Sequence, residues 1–180
     1  NIATLLQLAV LLQLLAPALL VLFIQPLCFG LVGMCTYVAW VLALAKPARH
    51  NRVTTDEVVP FDWRSLLTLT VVVCGVSYAS AALNALYGQS GLWLGAALSG
   101  LVDAHAIVPT VAALLMKDKL LPHDALMPLL IALSANTLTK SVIALQSGGW
   151  AYARKVSGGV WLTTTAVWLG YVVERGGLSV

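Results

Sequence analysis

Residues 3–24 read ATLLQLAVLLQLLAPALLVLFI, a run of 22 residues without one charged side chain. A helix crossing the hydrocarbon core of a bilayer needs about 20 apolar residues in succession. The run meets that length. It also exceeds the apolar core of a secretory signal, and no basic segment precedes it. It is therefore predicted to span a membrane. Five more stretches of the same kind follow, at residues 27–45, 63–86, 92–115, 125–146 and 156–173. Breaker residues separate them: Gln25-Pro26, Gly88 to Gly91, Pro122-His123-Asp124 and Ser147-Gly148-Gly149. The pattern predicts an all-α, polytopic integral membrane protein of about six transmembrane helices. Residues 1–180 read as a single transmembrane helical domain. The first residue is Asn rather than Met, so this domain is expected to be the C-terminal part of a longer membrane protein.

Composition excludes most other classes. Of 180 residues, 60% are hydrophobic and 9% charged, and mean hydropathy is +0.92. Soluble domains carry roughly 45–50% apolar and about 25% charged residues, and one water-soluble core could not bury this excess. The net charge is only +3, and the basic residues are scattered through short loops. Lipid headgroups are their expected partner, and nucleic acid is not. Cys28, Cys35 and Cys74 lie inside apolar stretches. A thiol there acts as a small hydrophobe, so neither a disulfide nor a metal site is expected from them.

Orientation follows from Lys and Arg in short loops. If six spans alternate, Lys46, Arg49, Arg52, Arg64, Lys117, Lys119 and Arg175 share one side, against Arg154 and Lys155 on the other. Both ends are then expected in the cytoplasm. Trp40 and Trp63 flank the inner loop, and Tyr87, Trp93, Trp150 and Tyr152 sit near the outer turns, at headgroup level. The loop from Lys46 to Asp62 also holds His50, Asp56 and Glu57, and reads as a solvated topogenic segment with Asp62 capping the next helix. Gly30-Leu31-Val32 matches Gly100-Leu101-Val102, which leaves repeated helical hairpins open as an arrangement.

Charged groups at mid-bilayer cost about 2.5–3.5 kcal/mol on insertion scales, so those present face inward and need partners. The fourth stretch holds Gly100-Leu-Val-Asp103-Ala-His105-Ala-Ile-Val-Pro109. Pro109 lacks the amide that would bond the His105 carbonyl, so Gly100 and Pro109 mark an expected helix break. Residues two apart point to nearly opposite sides of a helix, so Asp103 and His105 can share a ligand only on distorted backbone. The fifth stretch holds Asn136-Thr137-Leu-Thr139-Lys140, with Asn136 and Lys140 on one face. In an antiparallel hairpin of these stretches, Asn136 reaches the depth of Asp103, and an Asp103–Lys140 ion pair is the most economical arrangement. Gly95 with Ser99, and Ala96 with Gly100, follow the small-xxx-small spacing that lets helices approach, within the chain or in a homo-oligomer. Ser77, Ala81 and Ala85 do likewise.

Asp103, His105, Asn136, Thr137 and Lys140 are thus the candidate path for an ion, a proton or a small polar solute, with no cofactor and no assignable metal. The competing expectation is a non-transporting scaffold or regulatory subunit whose buried polar network sets helix packing. Ser99-Gly100 and Asp103 superficially resemble an intramembrane protease, but no second acid or suitably placed His completes a catalytic pair, so no enzyme is expected.

Together, Gly-Leu-Val-Asp103-Ala-His105-Ala, Asn136-Thr-Leu-Thr-Lys140 and Ser147-Gly-Gly-Trp-Ala-Tyr152-Ala resemble the bacterial membrane domain of unknown function DUF4010. The resemblance is clear over about residues 95–165. That family pattern carries in some members a second acid where His105 stands, which bears against a dicarboxylate site for a divalent cation here. The resemblance implies a multi-helix protein of the bacterial inner membrane with no assigned activity. It also implies an MgtC/SapB-type membrane domain as a neighbour, and by association a link to magnesium or membrane-energetic homeostasis.

Overall fold

The computed structural model describes residues 2–44 and 63–177. Every regular element among them is a helix: α1 (Ile2–Leu15), α2 (Pro17–Leu44), α3 (Trp63–Val102), α4 (Val108–Met116) and α5 (Pro122–Gly177). Among the described residues, three helical stretches are long and apolar enough to cross a membrane, Pro17–Leu44, Pro122–Gln146 and Tyr152–Gly176. Ile2–Leu15 and Ser90–Val102 are apolar but shorter. Large apolar side chains dominate the outward surface, with Val21, Leu14, Trp40, Leu67, Leu86 and Val172 all exposed. Such a surface is solvated by lipid rather than by water.

The first two expected spans are redrawn. Ala16-Pro17, not Gln25-Pro26, makes the break. Proline disfavours helix in the residue before it and starts a helix well, because its missing amide would be unbonded there anyway. α1 then folds back along α2: Leu5 lies against Gly30, 25 positions away in sequence. The stripe Leu5, Leu8 and Leu12 packs on Leu19, Phe23 and Leu27, each at helical spacing and nearly fully buried. Pro26 sits buried inside the continuous α2, where Gly170 of α5 meets its Cα. The 3–24 run is long enough to span, yet it folds as a half-length helix plus the start of a full one.

α3 and α5 each bend at one glycine in the left-handed region, Gly88 (φ 58°) and Gly149 (φ 68°). Only glycine enters that region freely, so both sequence breakers become tight interhelical turns. Within α5 the arms 122–148 and 150–177 are antiparallel. Thr137 bonds Thr164 across them and Trp168 Nε1 donates to Ser134 Oγ. The second arm lies antiparallel to α2, through Gly170 on Pro26, Val167 on Gly30 and Gly159 on Tyr37. Lipid tails are as apolar as leucine, so close packing rather than apolar transfer holds such helices together. Glycines along this seam are the consequence.

The fourth expected span, 92–115, is not one helix. Ser90–Val102 ends, residues 103–107 turn, and α4 runs back. One cavity lined by Gly88, Leu92, Leu114 and Asp118 fixes this direction, because a continuing helix would carry Leu114 about 30 Å from Leu92. The pair is a re-entrant hairpin whose tip stops midway along the first arm of α5. Its first arm runs parallel to residues 122–148, with Gly100 on Ala132 and the Leu101 carbonyl at Thr139, rather than antiparallel as expected. Gly95, Ala96, Ser99 and Gly100 are all buried on that side, so their small-residue spacing serves packing within the chain. Residues 30–32 lie in unbroken helix whereas 100–102 end one, so the short sequence match is not a structural repeat.

Tyr37 and Val41 of α2 line a cavity with Tyr152 and Lys155, so the end of α2 and the Gly149 turn lie at one end of the bundle. Lys117, Lys119 and Arg175 lie at the other, beyond Leu114 and the start of α5. The grouping expected for six alternating spans is thereby rearranged, and Trp150 and Tyr152 join Trp40 rather than oppose it. Lys46, Arg49, His50, Arg52, Asp56, Glu57 and Asp62 lie outside the described residues, as do the side chains of Arg64, Ser77 and Ala81. Cys28, Cys35 and Cys74 are exposed on helix exteriors.

A Cβ at Gly100 would come within 2.3 Å of the Ala132 carbonyl oxygen, which is backbone and cannot swing away. Gly100→Ala should therefore destabilise by about 1–3 kcal/mol, the usual range for overpacking. Gly75→Ala, where a Cβ meets nothing within 4 Å, should be neutral or slightly stabilising. Thermal unfolding of the two variants in detergent checks the contrast.

Candidate functional site

The tip of the hairpin is built by its own side chains. The Asp103 amide still donates to Ser99 O (2.7 Å), but the helical ladder stops there. Asp103 Oδ1 then accepts the backbone N–H of His105 (3.2 Å), the Asx turn by which aspartate replaces a helical bond. The same oxygen lies 2.7 Å from His105 Nδ1. Two positions apart, the residues meet because the backbone between them has left the helix. The His105 carbonyl, expected to be freed by Pro109, instead accepts Val108 N–H at 3.1 Å. Pro109 falls in the first turn of α4, where it starts a helix rather than kinking one. Gly100 and Pro109 bracket the break without forming it.

His105 Nε2 lies 3.0 Å from the carbonyl oxygen of Thr4 in α1. A carbonyl only accepts, so Nε2 carries hydrogen. Nδ1 faces a carboxylate oxygen at 2.7 Å, and two acceptors that close need a proton between them. The ring thereby ties Asp103 at the hairpin tip to the backbone of α1.

Lys140 and Asn136 approach from α5. Lys140 Nζ donates to Thr4 Oγ1 at 3.0 Å, so Thr4 receives both His105 and Lys140. The expected direct Asp103–Lys140 pairing is replaced: Asp103 Oδ1 lies against His105 Nδ1, and Lys140 Nζ lies against Thr4 Oγ1. Asp103, His105, Asn136, Lys140, Thr4 and Gln7 line one cavity of about 760 Å³. The Asn136 residue is only 8% exposed, and no hydrogen bond to its amide occurs among the described residues. A second cavity, about 600 Å³, is lined by Tyr37, Tyr152, Lys155 and, again, Lys140. The Tyr37 hydroxyl donates to the Lys155 carbonyl at its edge.

Four of the five expected path residues thus converge. Thr137 does not: its hydroxyl lies 2.6 Å from Thr164 Oγ1 in a 2% exposed position, holding the arms of α5 together. Thr4 and Gln7 were not singled out by sequence. Their signal is a polar side chain within an otherwise apolar run, one that also flags less informative positions such as Gln13. Thr139 also contributes, donating to the Leu101 carbonyl (2.9 Å) that the break leaves without a helical partner. Among the described residues no three His, Cys, Asp or Glu gather as a metal site would require.

The sequence pattern of the family described as "Domain of unknown function (DUF4010)" matches residues 1–148. The match takes in the Asp-Ala-His-Ala and Asn-Thr-x-x-Lys segments and begins well before residue 95, while Trp150 to Ala153 lie beyond it. None of the curated proteins and no solved structure matches this chain.

If Asp103 and His105 hold one proton between them, their substitutions should not be additive. Contacting, hydrogen-bonded residues couple by about 0.5–3 kcal/mol. His105→Ala is expected to strand the Asp103 carboxylate and lower the unfolding temperature. Asp103→Asn in the same background should recover part of the loss. Strict additivity in this double-mutant cycle, read by thermal unfolding, would count against the pairing.

Proposed function

The chain belongs to the DUF4010 family, a domain of unknown function, and from that premise we propose that it is a membrane transport or channel protein for a small ion, a proton or a small polar solute. One observation carries this reading: Asp103, His105, Asn136 and Lys140 meet in one cavity at the tip of a re-entrant hairpin, midway along the long helices. Broken helices that end at mid-depth leave polar backbone and side chains facing a cavity, and transporters bind substrate there. In this reading Asp103 holds the proton or the charge that is exchanged, and His105 relays or positions it. Asn136 orients the solute. Lys140 is the counter-charge.

A scaffold or regulatory role is the competing reading. Its support is that His105 and Lys140 both bond Thr4, tying three helices together. The roomy cavity and the Asn136 amide turned to it favour transport, because a network built only for packing would close on its own polar groups.

The proposed setting is the bacterial inner membrane, with an MgtC-type domain or a further copy as associated partner. The end carrying Arg154 and Lys155 is proposed to be cytoplasmic. It is also where α2 leads into the segment bearing Lys46, Arg49 and Arg52. This revises the expectation that the C-terminal end lies there.

Reconstituted vesicles loaded with ion- and pH-sensitive dyes test transport. Asp103→Asn and Lys140→Met should each reduce flux to the empty-vesicle level with little change in elution from a sizing column. Flux unchanged in both variants would remove the transport reading.

A further inference from the structure

Away from that site, and independently of it, we propose that the Gly149 end of α5 seats one anionic phospholipid. Its phosphate lies between Arg154 and Lys155, and one acyl chain occupies the groove on each side of the helix pair. The observation is the two grooves. The cavity of about 600 Å³ is lined on the second arm of α5 by Tyr152, Lys155, Val156, Gly159 and Val160. Another, of about 450 Å³, is lined on the same arm by Trp150, Arg154, Ser157, Gly158 and Trp161. Each set recurs at spacings of three and four, so each is one stripe of the helix, and the two stripes are neighbours. The first arm divides in the same way, with Ile143 and Ala144 on one groove and Leu138, Val142 and Leu145 on the other. The paired arms therefore form a ridge with a groove along either side.

Dimensions fit a lipid of one leaflet. At 1.5 Å per residue, the stripes from 152 to 160 and from 150 to 161 run about 12 and about 16 Å along the helix from the Gly149 turn. Half the hydrocarbon thickness of a bilayer is about 15 Å. Over that depth the walls are apolar, with Met34 and Val41 of α2 on one side and Val142 and Trp161 on the other. Trp150 and Tyr152 stand exposed at the outer end of the grooves, where amphipathic rings mark the headgroup level. The Tyr37 hydroxyl donates to the Lys155 carbonyl, which ties the second arm to α2 and shapes the first groove before a lipid enters it.

Charge selects the headgroup. Arg154 and Lys155 are consecutive and exposed, one on each stripe. They follow the Gly149 turn closely, at the N-terminal end of their own arm, where the helix dipole disfavours cations. That arm gains nothing from them. The carboxylates of the described residues lie elsewhere, Asp103 at mid-depth and Asp118, Asp124 and Glu174 at the opposite end. A phosphodiester brings negative charge to this end, and its oxygens accept from a guanidinium fork and an ammonium together. Basic pockets between membrane helices hold anionic headgroups in this manner.

The test titrates the full chain, in a neutral detergent, with phosphatidylglycerol and with phosphatidylcholine of the same acyl chains, reading binding by native mass spectrometry and thermal unfolding. Phosphatidylglycerol should bind about tenfold more tightly or better and raise the Tm, and the preference should shrink at high salt. Arg154→Gln combined with Lys155→Gln should weaken phosphatidylglycerol binding about 25-fold, from about fivefold for each cation at a lipid surface. Both positions are exposed, so the fold should survive. Arg175→Gln, at the opposite end, should leave binding unchanged. Val142→Trp fills the second groove from a lipid-facing position and should weaken binding without altering charge. Equal affinity for the two lipids, or unaltered affinity in the double variant, would overturn the proposal. Glycerol phosphate reproducing the whole effect would overturn it too, by assigning the two cations to a free anion.

Discussion

Stopping a helix halfway through an apolar bundle exposes backbone groups that neither lipid nor water can satisfy, and nearly everything else in this fold answers that constraint. The turn at residues 103–107 removes several ladder bonds at once. Asp103 replaces one by accepting the His105 amide, and Thr139 covers the Leu101 carbonyl. The His105 ring ties the tip to the Thr4 carbonyl of α1. Buried polar groups left unmade cost about 1–3 kcal/mol each, so these side chains hold up the hairpin before they do anything else. The candidate site and the repair of the break are the same residues.

That dual role shapes the chemistry. An aspartate alone at this depth would be expensive, and the imidazole 2.7 Å away gives its carboxyl group a hydrogen-bond partner. α1 enters the same economy of contacts: a helix half the usual length can deliver Thr4 to mid-depth only because Ala16-Pro17 turns it back along α2. Glycines at positions 30, 33, 159 and 170 let α2 and the second arm of α5 close together, which keeps the bundle dense beside an open cavity.

The sequence made several features legible for plain reasons. Gly88 and Gly149 read as turns because few other residues tolerate a positive φ, and both are turns. Asp103, His105, Asn136 and Lys140 stood out because charge and amide are rare in apolar runs, and they do converge. Thr137 misled because its spacing from Asn136 says nothing about which arm it faces; Thr164, 27 positions on, decides that. Gln25-Pro26 misled because a long, closely packed helix tolerates one missing ladder bond, and Gly170 lets the second arm of α5 close on the Pro26 Cα. Pro17, in an equally apolar setting, was the true breaker.

Sequence by itself therefore determined the solvent of this protein, its helical class, its glycine turns and the short roster of costly polar residues, since all of these follow from local composition and backbone chemistry. Direction was decided only in three dimensions. Ser90–Val102 and α4 together have about the length of one span, and hydropathy is identical whether the second piece continues or doubles back. Contacts between residues far apart in the chain choose between the two, and with that choice they set which charges share an end and which side chains share a cavity.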